Sequence, residues 1–551
     1  MKIRTILSVA LTAVVAVGLL TGCEDEEKKE EKKPEASAAP TSGAEEATPS
    51  PQADGVQRLS AEEKQKLEAQ FASQTLSDTL KEFGLDTPVM TQRLGADPYA
   101  IVYDGRVYLY MTGDVVEYDG DGKVKDNSYG KINTLNVISS ADLVNWTDHG
   151  TIYAAGMQGA SKWGKNSWAP AVAYKEIDGK TQFFIYFANG GNGIGVLTSD
   201  SPTGPFVDPL GKALISRNTP NCDTVTWLFD PAVLVDEDGS AYLYFGGGIP
   251  EGMEAAPGTG RVVKLGDDMI SLEGEPQALD IPYLFEDSGI NRIGDTYYYS
   301  YCTNWNVTPE ATEEFGFASA QIAYMTSDDP MGPFTLAGVI LKNPGNYYGC
   351  YGNNHHCLFQ FHDEWYIAYH TQMLEKPMGI SGGYRATSIT KLTVNEDGSI
   401  PMVPSADRSS LVQIGRLDPY DKVEAETMAT MGGLNTTQSG IQSMSFGSGN
   451  MELCDINSGD WLALYGVDFG SDGAKTFTAA VKAAAGVSGA VQLRLDGTDG
   501  EIVGYLQIAP TEGEDYQELT AELLTRVTGE HDLVMVFSGE GYTMDYWRFG
   551  K

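Results

Sequence analysis

Asp104-Gly105-Arg106-Val107-Tyr108-Leu109-Tyr110 is a tight turn running into an aromatic-rich strand, and the chain repeats it. Asp178-Gly-Lys-Thr-Gln-Phe-Phe, Asp238-Gly-Ser-Ala-Tyr-Leu-Tyr, Gly294-Asp-Thr-Tyr-Tyr-Tyr and Asp363-Glu-Trp-Tyr-Ile-Ala-Tyr have the same form. Gly, Asp and Asn supply the backbone freedom such turns need, and Tyr, Phe and Val suit a pleated surface. The copies stand roughly 55 to 75 residues apart, too far for one hairpin and right for a four-stranded sheet. A second phrase follows some of them: Ser140-Ala-Asp-Leu-Val-Asn-Trp146, Ser199-Asp-Ser-Pro-Thr-Gly-Pro-Phe206 and Ser327-Asp-Asp-Pro-Met-Gly-Pro-Phe334, which fit a bulged turn into an outer strand. A two-sheet sandwich does not explain phrases recurring at that length. Five units predict a five-bladed β-propeller over residues 91–402, whose closed ring removes exposed sheet edges.

In a propeller the innermost strands line one axis, so residues at a matched phase of each repeat converge. Seven to nine residues before the turns stand Asp97-Pro98, Ala169-Pro170, Asp230-Pro231, Glu286 and His355. Asp-Pro pairs alone need only start strands. Three carboxylates and a histidine on one axis repel one another unless chemistry or a metal uses them.

Composition agrees with an all-β chain. Of 551 residues, 42% are hydrophobic and 21% charged, enough to bury cores, while 63 Gly and 29 Tyr exceed what a helical bundle uses. The net charge of −39 repels phosphate backbones, which argues against nucleic-acid partners. Lys2 and Arg4 precede an apolar run, Ile6 to Leu20, too short to span a membrane. It reads as a signal peptide over 1–22, and Leu20-Thr21-Gly22-Cys23 resembles the bacterial lipobox, so Cys23 is the expected lipidation site; a general secretory signal with an incidental cysteine is the alternative. The product is then expected to be exported and lipid-anchored at the bacterial cell surface or membrane. Residues 23–57, rich in Glu and Lys and then in Ala, Pro, Ser and Thr, read as a disordered tether. Residues 58–90 are a helical segment, with one amphipathic helix expected from Ser60 to Phe83 on the spacing of Leu67, Phe71, Leu76 and Leu80. Cys222, Cys302, Cys350, Cys357 and Cys454 are odd in number and irregularly spaced, which allows at most two disulfides and suits buried thiols.

Ala96-Asp97-Pro98-Tyr99, Trp168-Ala-Pro170, Phe229-Asp230-Pro231-Ala-Val-Leu-Val-Asp236-Glu-Asp238-Gly and Phe285-Glu286-Asp287-Ser-Gly-Ile resemble glycoside hydrolase family 43, arabinofuranosidases and xylosidases on a five-bladed propeller. The resemblance implies Asp97 as the base that activates water, Glu286 as the acid that protonates the leaving oxygen, and Asp230 as the residue that tunes and orients the acid. Base and acid flanking the sugar with room for water imply inversion. Asn353-Asn354-His355-His356 resembles the family's axial calcium site, with His355 at the better phase and His356 the other candidate. Tyr384-Arg385-Ala-Thr resembles the segment that offers an arginine to sugar hydroxyls, and Trp168 would present an apolar face to a sugar ring. No Gly-rich phosphate loop joins a strand to a helix, so no organic cofactor is implied.

After a linker at 403–418 the pattern changes. Val423-Glu424-Ala-Glu426, Gly459-Asp460-Trp461-Leu, Gly529-Glu-His-Asp532-Leu and Asp545-Tyr546-Trp547-Arg-Phe549 resemble carbohydrate-binding module family 6, a β-sandwich (jelly roll) over 419–551. Glu424, Glu426 and Asp545 would then hold a structural calcium, whose ligands are oxygens. The usual sugar cleft looks incomplete: Thr543 replaces an asparagine, Met451-Glu-Leu-Cys454 lacks an aromatic, and Tyr516 alone remains. Packing against the propeller is an equal expectation. The function expected is an exo-acting α-L-arabinofuranosidase on arabinoxylan, a plant cell-wall polysaccharide, or its oligosaccharides. The alternatives are a β-xylosidase and a non-hydrolytic, lipid-anchored sugar-binding protein.

Overall fold

The computed structural model describes residues 54–405, 407–438, 451–511 and 515–551. Cys23, the signal peptide and most of the tether lie outside them. Five antiparallel ladders follow one another from Ala96 to Leu392. They open with the strands Ala96–Tyr103, Trp168–Ile177, Ala232–Val235, Leu284–Ile293 and His356–Phe361. Each opening strand turns at once into its partner, Arg106–Thr112, Lys180–Ala188, Ala241–Phe245, Thr296–Thr303 or Glu364–Thr371. The five quoted phrases are these turns. Asp104 and Gly105 (φ 48° and 72°), Asp178 and Gly179 (54° and 74°) and His362 and Asp363 (47° and 63°) all take positive φ, the geometry that matches the twist of a two-residue hairpin. The second phrase lies between the third and fourth strands of the first, second and fourth ladders. The fifth ladder has three strands.

Opening strands of consecutive ladders touch one another, and that of the fifth touches that of the first. Apolar clusters fill the layers between sheets, for example Ala171, Tyr186, Val233 and Phe245 between the second and third. Tyr99 packs against four such clusters and its hydroxyl donates to the Val233 carbonyl at 3.0 Å.

The described residues of 423–551, joined by the strand Val56–Gln57, form a seven-stranded and a five-stranded sheet enclosing one core around Trp547, Phe477, Phe549 and Leu464. The module packs on the first ladder. Thr427–Met428 pairs with Trp146–Thr147 and becomes a fifth strand of that ladder. Asn145 and Tyr465 exchange two hydrogen bonds, and Thr436 Oγ1 donates to buried Asp148 at 2.6 Å. Arg93, ion-paired with Asp148, adds a bond to Thr436.

Three boundaries differ from the sequence reading. The helix is Ala61–Ala72, capped by a Ser60/Glu63 box, and does not reach Phe83. Beyond it the Ser77 amide donates to the Gly459 carbonyl and the Ser77 carbonyl accepts from the Trp461 indole, so bonds to the module replace helical ones. Leu67 and Phe71 pack on Trp461, Ala463 and Tyr505 of the module. The tether ends before Gln57, because Val56–Gln57 pair in parallel with Thr520–Ala521 and Gln57 brackets the backbone of Gln507. The 403–418 linker is fastened down: Leu411 N donates to Asp86, Ile414 N to Asp142 and Leu417 N to Gly466.

Candidate active site

The opening strands aim their first residues by a common backbone device. The register slips between Ala96 and Tyr99, between Trp168 and Ala171, and between Glu286 and Gly289. Inside these bulges Asp97, Ala169 and Asp287 have φ of 46°, 40° and 70°, and Asp230, just before the third ladder, has 46°. A positive φ in a residue other than glycine costs on the order of 1–3 kcal/mol and concentrates where a side chain must be re-aimed. This equivalence corrects the sequence phase by one residue. Asp287, not Glu286, is the backbone counterpart of Asp97 and Asp230, while Glu286 matches Ala96 and Trp168.

A cavity of about 100 Å³ is lined by Asp97, Tyr129, Trp168, Phe229, Asp230, Glu286, Asn353, His355 and Arg385. The expected catalytic and sugar-binding residues all meet there. At about 100 Å³ the cavity lies well below the roughly 300–1,000 Å³ of pockets that take drug-sized ligands, a scale that suits a single sugar unit and not a chain. A larger hollow of about 780 Å³ lies at the opposite ends of the opening strands, among Tyr99, Val172, Val233, Ile290 and Leu358. It holds none of the candidate residues, so its size carries no functional weight.

Arg385 dominates one wall. Its Nη1 donates to Asp97 Oδ1 at 2.7 Å, and Nε and Nη2 donate to the two oxygens of Asp114 at 2.9 and 2.7 Å. The Tyr129 ring lies 5.0 Å from the guanidinium carbon. The Asp97 amide donates to His370 Nδ1 at 3.1 Å, and His370 Nε2 stands 2.8 Å from the Asn353 carbonyl, which assigns the proton to Nε2. On the other wall Asp230 Oδ2 accepts the Asp287 amide at 3.0 Å. Asp287 is fully buried and faces both histidines: His355 Nε2 at 3.1 Å and His356 Nδ1 at 2.5 Å. His356 Nε2 lies 2.7 Å from Ser300 Oγ, so both its ring nitrogens are engaged and it lies behind the cavity, not on it. His355 Nδ1 stands 3.7 Å from both Asp97 and Asp230.

Burial would push the Asp97 carboxyl up, but Arg385 first and then His355 outweigh it and hold it far below the usual carboxylate range. Glu286 goes the other way: burial first, then the charges of Asp230, Asp97 and Asp287, raise it well above its ordinary value. Asp230 is raised by burial and by Asp97 and Asp287. The proton shared by that pair belongs on Glu286, since Asp230 accepts an amide whereas Glu286 Oε1 is buried without a partner. The cavity thus sets an anionic carboxylate opposite a protonated one, the arrangement for moving one proton in each direction across a bound ring.

The axial oxygens of Asp97, Asp230 and Asp287 are turned on Arg385, His355, His356 and an amide. Among the described residues the orphaned oxygens nearby are Asn354 Oδ1 and Glu286 Oε1; with Glu286 protonated they do not make the ionised oxygen set a calcium ion takes. The C-terminal module differs, for Glu424 Oε2 and Glu426 Oε2 are both buried without hydrogen-bond partners. Burial, then Glu424, Asp148 and Asp545, push the Glu426 carboxyl up to about 9. Among the described residues no three His, Cys, Asp or Glu side chains form a preformed metal cluster. Tyr516 faces Thr543, with hydroxyls 3.3 Å apart, and Lys482 Nζ lies 4.8 Å from its ring centre. All five described cysteines are free thiols.

Tyr129, Asp114, His370 and Asp287 belong to the site and were not singled out from the sequence. Asp287 adjoins a chosen residue, Asp114 stands two residues past the second strand of the first ladder, and Tyr129 sits in the loop between that strand and the third.

Residues 85–400 match Glycosyl hydrolases family 43, and residues 424–551 match Carbohydrate binding module (family 6). The chain is 47% identical over 481 residues to an arabinoxylan arabinofuranohydrolase of Paenibacillus polymyxa, covering 85% of this chain and 74% of that one. It is 46% identical over 492 residues to an arabinoxylan arabinofuranohydrolase of Bacillus subtilis (strain 168), covering 86% and 94%. The crystal structure of a family 43 arabinoxylan arabinofuranohydrolase from Bacillus subtilis in complex with cellotetraose superposes with a TM-score of 0.81 at 45% identity, covering 86% of this chain and 99% of that one. With its carboxylates gathered at one small cavity and a family match across more than half its length, this chain belongs to glycoside hydrolase family 43 and carries a C-terminal family 6 carbohydrate-binding module.

Proposed function

We propose that the protein is an exo-acting α-L-arabinofuranosidase that removes arabinofuranosyl side groups from arabinoxylan or its oligosaccharides with inversion. The observation that carries this reading is the pairing of anionic Asp97 with protonated Glu286 at a cavity on the scale of a single sugar unit. Asp97 takes a proton from the attacking water, Glu286 gives its proton to the leaving glycosidic oxygen, and Asp230 keeps Glu286 protonated. Arg385 and Trp168 bound the sugar. The five ladders, with their cyclically touching opening strands, are read as the blades of a propeller. The related enzymes named above support arabinoxylan as the substrate. Release of nitrophenol from the aryl α-L-arabinofuranoside and not from the aryl β-D-xyloside, with the β-anomer of arabinose appearing first by NMR, is the expected result. Preference for the xyloside would replace this reading with a β-xylosidase.

Two accessory proposals go with it. Glu424, Glu426 and Asp545 would hold a structural calcium in the module, a cation that would satisfy the buried Glu424 Oε2 and Glu426 Oε2. Calcium should then raise the melting temperature and EDTA lower it, and a Glu426→Gln chain should respond to neither. Cys23 would carry the lipid anchor, and Cys23→Ser should abolish partitioning into detergent.

A further inference from the structure

We propose that Tyr129 is a positioning residue that holds the Arg385 guanidinium between Asp97 and Asp114 and, through its own carbonyl, fixes the Trp168 indole. The inference rests on the glycosidase reading, because it concerns how the base and the sugar platform are kept in register.

Four observations carry it. Tyr129 has φ 57°, a conformation in which a bulky side chain is a true outlier and which persists only when its surroundings over-determine it. What over-determines it is visible: Asn127 Oδ1 accepts the Tyr129 amide at 2.9 Å, and the Asn127 amide donates to the Gly382 carbonyl at 2.8 Å. The ring set by that turn faces the guanidinium at 5.0 Å, on a cation that is 3% exposed and already spends three nitrogens on two carboxylates. A desolvated guanidinium over an aromatic face is held more firmly than an exposed one. The Tyr129 carbonyl, at the same time, accepts the Trp168 indole N–H at 3.0 Å. One residue thus touches the partner of the base with its ring and the sugar wall with its backbone.

The facing loop, ahead of the strand Ala386–Leu392, is built to admit this one. Gly382 has φ 127°, and a Cβ there would stand 2.7 Å from the Lys125 carbonyl. Any side chain at position 382 would push residues 125–129 off Arg385. The loop and Arg385, far apart in sequence, are therefore shaped to each other, which a residue serving only as a wall of the sugar cavity would not need.

The test is steady-state kinetics on an aryl arabinofuranoside with Tyr129→Ala, Tyr129→Phe and Gly382→Ala, together with a crystal structure of Tyr129→Ala. Loss of ring contact lets the guanidinium drift, and misplacing a catalytic group by an ångström costs up to about 100-fold. Tyr129→Ala should therefore lower kcat about ten- to a hundredfold with KM changed less than about threefold. Tyr129→Phe, which keeps the ring, should recover most of the loss, and Gly382→Ala should reproduce it. A rise in KM at unchanged kcat would make Tyr129 a sugar wall and overturn the proposal, as would a Phe variant no better than Ala. Arg385 still bridging Asp97 and Asp114 in the Tyr129→Ala crystal overturns it whatever the rates. If the parent enzyme ignores arabinofuranosides, the substrate reading fails, and the same crystal still decides the role of Tyr129.

Discussion

Arg385 Nη1 donates to Asp97 Oδ1 at 2.7 Å, so the carboxylate read as the catalytic base has a buried cation bonded directly to it. That contact, with His355, outweighs the burial that would otherwise raise Asp97. Removing the cation must raise the carboxyl, since a lost opposite charge disfavours the ionised form. Arg385→Gln should therefore move the acidic limb of the kcat/KM profile to higher pH. An acidic limb that stays in place while activity falls would show that Arg385 serves the sugar and not the base.

Leaving-group chemistry separates the acid from the base. Glu286→Ala removes protonation of the departing oxygen, worth about 10²–10⁴-fold, yet a nitrophenolate leaves without much help. The loss should be far smaller on a nitrophenyl arabinofuranoside than on arabinoxylan. Asp97→Ala should show no such leniency, because the water is left unactivated for either leaving group. Equal losses of Glu286→Ala on both substrates would mean that the acid is another residue.

The parts of this arrangement that were legible in the sequence are those with local chemistry. The turns at Asp104-Gly105 and Asp178-Gly179 announce themselves because positive φ selects Asp and Gly, and their spacing counts the sheets. Asp97 and Asp230 were visible because each precedes a proline. Asp287 takes the same backbone shape before Ser288, without that marker, and the slip in register on either side of Glu286 shifted the reading by one residue. Tyr129 acts through a backbone angle and a contact with a residue more than 250 positions away, neither of which leaves a periodic trace. The helix was over-extended because Leu76 and Leu80 keep a helical spacing while their segment bonds to the module.

A buried lysine at the same junction gives a prediction about stability. Lys81 is 2% exposed, its Nζ donates to the Asp86 carbonyl at 3.3 Å, and burial pulls it down to about 7 despite Asp86. Its value in the folded chain lies below that of the unfolded chain, so the charged form favours unfolding. The resulting cost is absent above the unfolded value of about 10.4, grows as pH falls toward 7, and is fully present below it. Lys81→Met should therefore raise the melting temperature more at pH 6 than at pH 9. A gain that does not vary with pH would mean that Lys81 is neutral throughout or exchanges with solvent.

Asp230 supplies the last and sharpest sign. Burial is the first cause of the raised Glu286 carboxyl and the charge of Asp230 the second, ahead of Asp97 and Asp287. Asp230→Asn removes that charge and leaves an amide oxygen to accept the Asp287 N–H, so the bulge at Glu286 keeps its anchor. With one anion fewer nearby, Glu286 gives up its proton at lower pH. The alkaline limb of the kcat profile should move down, and kcat on arabinoxylan at neutral pH should fall more than kcat on a nitrophenyl substrate. An alkaline limb that stays in place would show that the proton of the pair sits on Asp230, which is then already neutral in the parent. Glu286 would then be the ionised partner, and the assignment of base and acid to the two walls would have to be redrawn.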